Sequence, residues 1–312
     1  DSTLYIDSLS ILIGTNASGK SNVLDAFAFL RAIGEGKRLV DAIQAVRGGE
    51  EWIVRRGEKG FCISLQIEEE QTYLVDLRVQ KNGDTFQYGS CDIHVKGEEK
   101  LKEAMPGQFG GTSYEMTWNV YGQAEASLDL LPLIYRNFRN VFILDPMPAR
   151  MRDYCRVSKE LKSDGSNVAG VLCAVGYSRQ HKEEVLFSNP VDARGMSDGT
   201  LRFIAIVVAL LTAEPHSLLL IEEVDNGLDP SRDKELVDML KQLSSERQVD
   251  VLCTTHNPVL LDELGNRMIP FVSYVTRDEK GNSRVNLLED KQNLAKLMAS
   301  GSIGSMMIKD KI

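Results

Sequence analysis

A glycine-rich run near the start of the chain has the residue types and the spacing that hold phosphate groups. Its pattern is Gly-x4-Gly-Lys-Ser, with Gly14, Gly19, Lys20 and Ser21 at the defining positions. The glycines let backbone amides wrap closely around an anion, the lysine reaches the β- and γ-phosphates, and the serine hydroxyl coordinates Mg²⁺. The nucleotide-binding residues predicted from this run are Gly14, Asn16, Ser18, Gly19, Lys20, Ser21 and Asn22.

A second group of candidate residues is a pair of adjacent carboxylates at the end of an apolar run. Residues 217–224 predict a buried strand, and Glu222 and Glu223 stand near its end. Two like charges at a strand tip are costly unless a cation or a reaction uses them. In phosphate-loop enzymes an acidic residue on such a strand holds Mg²⁺. We therefore predict Glu222 as a metal ligand beside Ser21, and Glu223 as the general base for an attacking water.

Two further segments carry residues able to act on a phosphate group. His256 ends another predicted buried strand, residues 249–256, where a neutral imidazole can reach a γ-phosphate or a water. Ser197 and Gly199 precede an apolar helix predicted over residues 200–213. A hydroxyl and a glycine at a helix start can cap the helix or donate to an anion. From the residues alone, a structural role explains His256, and a simple helix cap explains Ser197 and Gly199, better than contact with a phosphate group does.

The elements that position these residues alternate between strand and helix at both ends of the chain. Between them, residues 61–95 alternate apolar and polar positions and turn at 81–84, and residues 129–187 are mostly helical in pattern. The order predicts an α/β fold with a mostly parallel central sheet, an antiparallel β subdomain and an inserted helical lobe. The predicted boundaries are 1–95 for the first part of the nucleotide-binding lobe, 96–195 for the mostly helical lobe, and 196–312 for the rest.

Taken together, these segments resemble those of ABC-type ATPases and stand in the same order. Ser197 precedes Glu223 by 26 residues, Glu223 precedes His256 by 33, and Asp229 follows Glu223 by six, where that class carries its D-loop aspartate. The segments NASGKSNVLDAFAFLRAI, SDGTLRFIAIVVALL, LLLIEEVDNGLDP and TTHNPVLLDEL are similar to the RecF/SMC-like branch. They resemble in particular the stand-alone bacterial AAA family ATPases related to OLD and anti-phage defence proteins.

The resemblance implies an ABC-ATPase-like head that uses ATP and Mg²⁺. In that class the signature of one subunit closes the nucleotide site of another, so Ser197 and Gly199 are expected to act on the ATP of a neighbouring chain. An ATP-dependent homodimer with two composite sites is therefore implied, with Glu223 activating water and His256 sensing the γ-phosphate. The partner implied beyond the dimer is a separate effector, such as a nuclease or a toxin, in bacterial anti-phage defence.

Several positions depart from the pattern of the class. Ala17 stands where relatives usually have glycine, and Glu222 replaces the aspartate of transporter-type sites. Asp198 and Thr200 replace the glycine and glutamine of the transporter signature. The glutamine loop of the class is not identified in this sequence.

Composition restricts the partners that we expect. The net charge is −9, so contact with nucleic acid would need a local basic patch. Five scattered cysteines without metal-type spacing predict reduced thiols and a cytoplasmic protein. The longest apolar run, 203–211, is shorter than the ~18 residues of a spanning helix, so no membrane contact is expected.

Three alternatives to a regulatory ATPase stay open. A transporter ATP-binding subunit is disfavoured by the 177 residues between Lys20 and Ser197, and a fused nuclease by the 56 residues after His256. The third is a DNA-bound repair or genome-maintenance ATPase, because residues 136–162 are rich in basic side chains. A solvated or internally paired surface explains these side chains better. They are Arg136, Arg139, Arg150, Arg152, Arg156, Lys159 and Lys162.

Overall fold

The structure is a computed structural model of the chain, and it forms two compact units. It describes residues 3–15, 17–69, 71–96, 101–109, 112–121, 127–178, 192–279, 281–292, 294, 298 and 302–308. The first unit combines Asp1–Asn22 with Phe142–Ile312, and the second is Val23–Val141.

The elements alternate as an α/β protein requires. Within the described residues the strands are β1 (Ser10–Ile13), β2 (Gly60–Glu68), β3 (Thr72–Asn82), β4 (Thr85–Val95), β5 (Leu101–Phe109), β6 (Thr112–Tyr121), β7 (Val141–Leu144), β8 (Leu218–Ile221), β9 (Asp250–Thr255), β10 (Val272–Arg277) and β11 (Ser283–Leu287). The helices are α1 (Lys20–Gly34), α2 (Leu39–Gln44), α3 (Gly49–Trp52), α4 (Ser127–Arg139), α5 (Pro148–Met151), α6 (Val168–Ser178), α7 (Asp198–Thr212), α8 (Asp233–Arg247), α9 (Pro258–Leu264) and α10 (Ile303–Ile308). Short 3-10 helices cover Ala193–Gly195, Pro230–Arg232 and Asn266–Phe271.

A six-stranded sheet organises the first unit, in the order β11-β10-β1-β9-β8-β7. Strand β1 runs parallel to both β10 and β9, β9 runs parallel to β8, and β11 pairs antiparallel with β10. Strand β8 is an uninterrupted apolar run, as is typical of a parallel strand that is covered on both faces. The predicted parallel sheet is thus confirmed, and the carboxyl ends of β1, β8 and β9 lie at one edge of it.

Helices that pack on the sheet of the first unit complete the hydrophobic core of that unit. The helix α7 is almost entirely apolar after its first turn. The helix α8 is amphipathic, with a buried apolar face and an exposed polar face. Each fully buried Leu or Ile side chain stabilises the fold by roughly 1.5–3 kcal/mol. Core side chains include Ile11, Ile206, Leu210, Leu219, Ile221, Leu236, Leu240, Val251 and Leu260.

The second unit contains a five-stranded sheet in the order β2-β3-β4-β6-β5. Strands β3 and β4 form the antiparallel hairpin that the sequence predicts, with Asn82 paired to Thr85 across the turn. Strands β4 and β6 are parallel. One face of the sheet is apolar, and Trp118 of β6 is fully buried there with its indole N–H donating to Tyr135 Oη at 3.3 Å.

The boundaries of the units differ from those expected from the sequence. The sequence predicts a mostly helical lobe that includes residues 101–109 and 112–121, but these residues form β5 and β6 and extend the sheet of the second unit. The helices α5 and α6 belong to the first unit because they share a small apolar cluster with α7. Strand β7 and the β10–β11 hairpin lie at the two ends of the sheet of the first unit.

Candidate functional site

The phosphate-loop residues connect β1 to α1, and glycine is required at both ends of the loop. Gly14 has φ +154° and Gly19 has φ +113°, both in the region that favours glycine. A Cβ on Gly14 would lie 2.7 Å from the carbonyl oxygen of Val275, and a Cβ on Gly19 would collide with the Ser283 hydroxyl. Ser283 also donates to the carbonyl of Ser18 at 2.6 Å. The β10–β11 hairpin therefore lies directly against the loop.

The side chains of the loop fit a bound polyphosphate. Among the described residues, Lys20 Nζ donates to the carbonyls of Gly14 at 2.6 Å and Thr15 at 3.0 Å, and the third N–H of the amine could donate to an anion. Burial lowers the pKa of Lys20, while Glu223 and Glu222 act in the opposite direction. The buried Ser18 hydroxyl has no hydrogen-bond partner among the described residues, and an anion would supply one.

The remaining loop residues differ in what the structure says of them. Asn16 lies outside the described residues. Asn22 is exposed, and its backbone N–H donates to the Gly19 carbonyl at 3.1 Å within the first turn of α1. Ala17 has φ +62°, which is unfavourable for a residue with a Cβ.

The predicted metal ligands meet at the sheet edge. Ser21 Oγ donates to Glu222 Oε1 at 2.7 Å, although the two residues are 201 positions apart. A hydroxyl and a carboxylate are ligand types that Mg²⁺ accepts, and Mg²⁺ commonly binds to one or two such groups together with substrate phosphates. No group of three or more His, Cys, Asp or Glu side chains in the described part of the chain is placed to hold a metal. The Ser21 hydroxyl and the Glu222 carboxylate fit Mg²⁺ that is shared with a nucleotide.

Glu223 lies two residues beyond the end of β8 and is held by groups from β9 and from the turn that follows β8. Its backbone is left-handed, with φ +48°. Its N–H donates to Thr254 Oγ1 at 2.9 Å, and Asn226 Nδ2 donates to its Oε2 at 3.0 Å. His256 Nδ1 lies 3.8 Å from Glu223 Oε1, and both side chains are nearly half exposed. The carboxylate and the imidazole therefore face the same solvent-accessible edge.

Beneath this edge lies a buried polar network that the sequence analysis missed. Thr255 Oγ1 donates to Asp225 Oδ1 at 2.7 Å and accepts from the Asn257 amide at 3.0 Å. Asn257 Nδ2 donates to Asp233 Oδ2 at 3.2 Å. The residues on either side of His256 are thereby tied to two buried carboxylates. The signal in the sequence was Asp225, a third acidic residue directly after the predicted strand.

Asp233 is the least favourably placed member of the network. It is 1% exposed, and its Oδ1 has no hydrogen-bond partner within the described part of the chain. Burial, followed by the charge of Asp225, raises the pKa of Asp233 to about 6.

The predicted signature and D-loop residues form a separate cluster at the start of α7. Ser197 caps the helix by accepting from the Thr200 amide at 3.2 Å. A Cβ on Gly199 would collide with the carbonyl of Gly227, so this helix packs tightly against the segment before Asp229. Asp229 accepts from the Ser231 amide at 2.9 Å. The structure thus brings Lys20, Ser21, Glu222, Glu223 and His256 to one edge of the first unit, and the described hydrogen bonds of Ser197, Gly199 and Asp229 do not reach them.

The basic residues between 136 and 162 are partly engaged within the chain. Arg136 pairs with Glu69 at 2.9 Å, Arg150 with Asp164 at 3.1 Å, and Arg152 with Asp198 at 2.6 Å. Such pairing reduces the charge that this segment offers to a polyanion.

Comparison with known proteins identifies the family. Residues 9–262 match the family described as "AAA domain, putative AbiEii toxin, Type IV TA system", and the chain therefore belongs to it. The match extends from β1 through both carboxylates and His256. It confirms the predicted ABC/SMC-like ATPase.

Curated relatives match only part of the chain. The methionine import ATP-binding protein MetN of Lactobacillus acidophilus is 28% identical over 108 residues, 35% of this chain and 30% of the relative. The ABC transporter ATP-binding/permease protein Rv1747 of Mycobacterium tuberculosis is 37% identical over 82 residues, 26% and 9% respectively. The energy-coupling factor transporter ATP-binding protein EcfA2 of Geobacillus kaustophilus is 36% identical over 75 residues, 24% of each. The chain spans less than a third of each of these proteins.

One solved structure supports the fold over most of the chain. An SMC head bound to the C-terminal winged-helix domain of ScpA superimposes with a TM-score of 0.51 at 14% identity, covering 91% of both chains. The SMC head domain from Thermotoga maritima gives a TM-score of 0.47 at 15% identity, with 92% of both chains covered. The first similarity confirms the α/β head fold. No helix in the described ranges is long and apolar enough to cross a membrane.

Proposed function

We propose that the chain is a cytoplasmic regulatory ATPase that binds ATP with Mg²⁺ at its phosphate loop and hydrolyses it at a site completed by a second copy. The observation that carries this proposal is the hydrogen bond of 2.7 Å between Ser21 and Glu222, with Glu223 as the next residue. It joins the start of α1 to the end of β8, where Mg²⁺ and an attacking water are both needed.

Each residue at this edge has a proposed role. Lys20 binds the terminal phosphates, and Ser21 and Glu222 hold Mg²⁺, which neutralises charge on the phosphate oxygens when it is bound. Glu223 accepts the proton of the attacking water, and Thr254 and Asn226 keep its backbone and carboxylate in place. His256, close to Glu223, donates to the γ-phosphate or orients the water.

The second half of the site is supplied by another chain. Ser197 and Gly199 stand at the positive end of α7, which can face an anion, while their described hydrogen bonds do not reach the phosphate loop. The family resemblance supports an arrangement in which these residues meet the nucleotide of a second copy, with Asp229 beside them. The same residues then serve two sites in a symmetric dimer.

The ATPase roles are tested with single substitutions in the full chain. Lys20→Ala should abolish ATP binding, whereas Glu223→Gln should bind ATP with near wild-type affinity and hydrolyse it at least about 100-fold more slowly, because only the base is lost. Glu246→Gln, an exposed carboxylate on α8 bonded to Gln242, is the matched control and should leave both quantities unchanged. The measurements are equilibrium nucleotide binding and phosphate release.

Two results would contradict these roles. Wild-type hydrolysis by Glu223→Gln would show that another group is the base. Normal ATP binding by Lys20→Ala would remove the phosphate loop from the proposal.

We propose further that ATP turnover controls a separate effector, such as a nuclease or toxin, in defence against phage. The family description, which refers to a toxin and a Type IV TA system, supports this role. The SMC head solved with part of ScpA shows that a head of this fold can bind a partner protein. If the proposal is right, cells that carry the chain with its native gene neighbours should resist phage, and Lys20→Ala should abolish the resistance. Equal phage plating on both strains would contradict it.

Contact with nucleic acid through residues 136–162 is a weaker second candidate. Three of its seven basic side chains hold carboxylates of the same chain. Salt-dependent DNA binding that is lost in the double variant Arg150→Glu/Arg152→Glu would favour this alternative.

A further inference from the structure

The residues that lead into α7 are held by the segment that follows α5. Arg152, the C-cap of α5, donates from Nη2 to the Met196 carbonyl at 2.8 Å and to Asp198 Oδ1 at 2.6 Å. Met196 and Asp198 are the neighbours of Ser197 on either side. A single guanidinium therefore holds the backbone before Ser197 and the side chain after it.

Arg152 extends from a firmly packed base. Met151, the preceding residue, is 1% exposed and packs in one cluster with Leu201 and Ala205 of α7. The position of the guanidinium is thus set by the same core that sets the position of α7. An exposed ion pair on a mobile side chain would fix little, but this one is anchored at its base.

A second contact joins the same two segments. The Arg194 guanidinium lies over the Tyr154 ring, 5.7 Å from its centroid, and pairs with Asp192 at 2.6 Å. Residues 152–154 therefore contact the stretch 192–198 through two arginines. This double contact restricts the path of the chain into Ser197.

The charge of Asp198 makes the pairing important for the approach of Ser197 to a nucleotide that another chain holds. Its carboxylate is next to Ser197 at the first position of α7 and is 64% exposed. A carboxylate at this position would repel a triphosphate that approaches Ser197, and a paired guanidinium offsets that charge.

We propose that Arg152 is a positioning residue of the composite site, which fixes Ser197 and neutralises Asp198 so that the signature can accept the triphosphate held by a second copy. The inference rests on the proposed function, because it assumes that Ser197 acts on the nucleotide of another chain. It assigns a role within the protein to Arg152, which the sequence alone marks only as one of several basic side chains between 136 and 162.

The first experiment separates this role from a contribution to nucleotide binding within the same chain. Arg152→Ala should lower kcat at least about tenfold, while the affinity of the chain for ATP stays within about twofold, because the phosphate loop is untouched. Arg152→Lys should retain an intermediate rate, since it keeps the charge but not the fork of donors. Arg150→Ala is the matched control, two residues away with its own partner Asp164, and should keep the wild-type rate.

The second experiment mixes two variants, each with impaired ATP hydrolysis, in the same solution. Arg152→Ala has an intact phosphate loop and a damaged signature, and Lys20→Ala has the reverse. A mixed dimer then contains one intact site, so an equal mixture should recover up to about a quarter of the wild-type rate, because half of random dimers are mixed. The reference is a mixture of Ser197→Ala with Lys20→Ala.

The outcomes distinguish the inference from the proposed function. Recovery in the reference mixture without recovery in the Arg152→Ala mixture would overturn the role of Arg152 and leave the composite site standing. Failure of both mixtures would overturn the composite site and this inference with it. A rate for Arg152→Ala equal to that of Arg150→Ala would also overturn it. Matching thermal unfolding of all variants excludes a folding defect as the cause.

Discussion

The phosphate loop places a Cβ where the backbone favours glycine, at Ala17 with φ +62°. The left-handed conformation costs a non-glycine residue about 1–2 kcal/mol. Glycine would remove that cost, although its greater freedom in the unfolded chain takes back about 0.4–1 kcal/mol. The loop therefore retains some strain that one methyl group causes.

We predict that Ala17→Gly keeps ATP binding and raises the free energy of unfolding by about 0.5 kcal/mol. The control is Ala28→Gly within α1, which should lower it by about 1 kcal/mol because glycine weakens a helix interior. Denaturant unfolding measures both. Equal losses in the two variants would show that the strain at position 17 is not relieved by glycine.

Single residues also show what could be predicted from sequence. Lys20, Ser21, Glu222 and Glu223 were found because each stands in a short contiguous pattern with a strand or helix beside it. Arg152 was identified only as a basic residue, since its partner Asp198 is 46 positions away and no local pattern joins them. A role that depends on contacts between residues far apart in the sequence cannot be predicted from a local motif.

At the scale of elements, the ends of β8 and β9 and the start of α8 are joined by the buried carboxylates Asp225 and Asp233. Asp233 is the first residue of α8, and its partner Asn257 caps α9. The two helices and the strand end that carries His256 therefore share one polar network. Because such a network holds a charge out of water, its effect on stability depends on pH.

We predict that the network destabilises the fold as the pH rises. The pKa of Asp233 is raised from 3.8 to about 6, so the folded state holds this proton over a range in which the unfolded state has lost it. Stability from this group is thus present below about pH 4 and is lost as the pH rises to about 6. The free energy of unfolding of Asp233→Asn, relative to that of the wild type, should rise by roughly 1–3 kcal/mol between about pH 4.5 and about 7.5.

Asp238→Asn is the control for this prediction, since Asp238 is exposed on the same helix. The difference in the free energy of unfolding between Asp238→Asn and the wild type should be independent of pH. Urea unfolding at each pH measures it. A difference for Asp233→Asn that also stays constant would contradict the raised pKa.

The elements themselves were predicted to different degrees. The parallel strands β8 and β9 are predicted from the apolar runs 217–224 and 249–256, and the β3–β4 hairpin is predicted from the alternating positions around the turn at 81–84. The strands β5 and β6 lie within 96–195, the range that the sequence predicts to be a mostly helical lobe. Pairing with β4, a tertiary contact, decides the structure there.

At the scale of the whole molecule, the proposed composite site makes assembly depend on nucleotide. We predict that Glu223→Gln with ATP and Mg²⁺ doubles its molar mass, whereas the same variant with ADP stays a monomer. Hydrolysis would normally open the dimer, and loss of the base should keep it closed. Light scattering after size-exclusion chromatography measures the mass.

The double variant Lys20→Ala/Glu223→Gln is the control and should be monomeric under all conditions. A Glu223→Gln protein that stays monomeric with ATP at micromolar concentrations would argue against assembly through the nucleotide. A dimer of equal mass with and without ATP would do the same.

The left-handed backbone of Glu223 carries a consequence for any attempt to improve the protein. A residue with a side chain at φ +48° costs about 1–3 kcal/mol that glycine or asparagine would largely avoid. Directed selection for heat resistance should therefore enrich Glu223→Gly and Glu223→Asn, and each of these variants would lack the proposed general base. Selection for thermal stability must therefore be combined with a screen for ATP hydrolysis. Otherwise it will enrich stable variants that do not hydrolyse ATP.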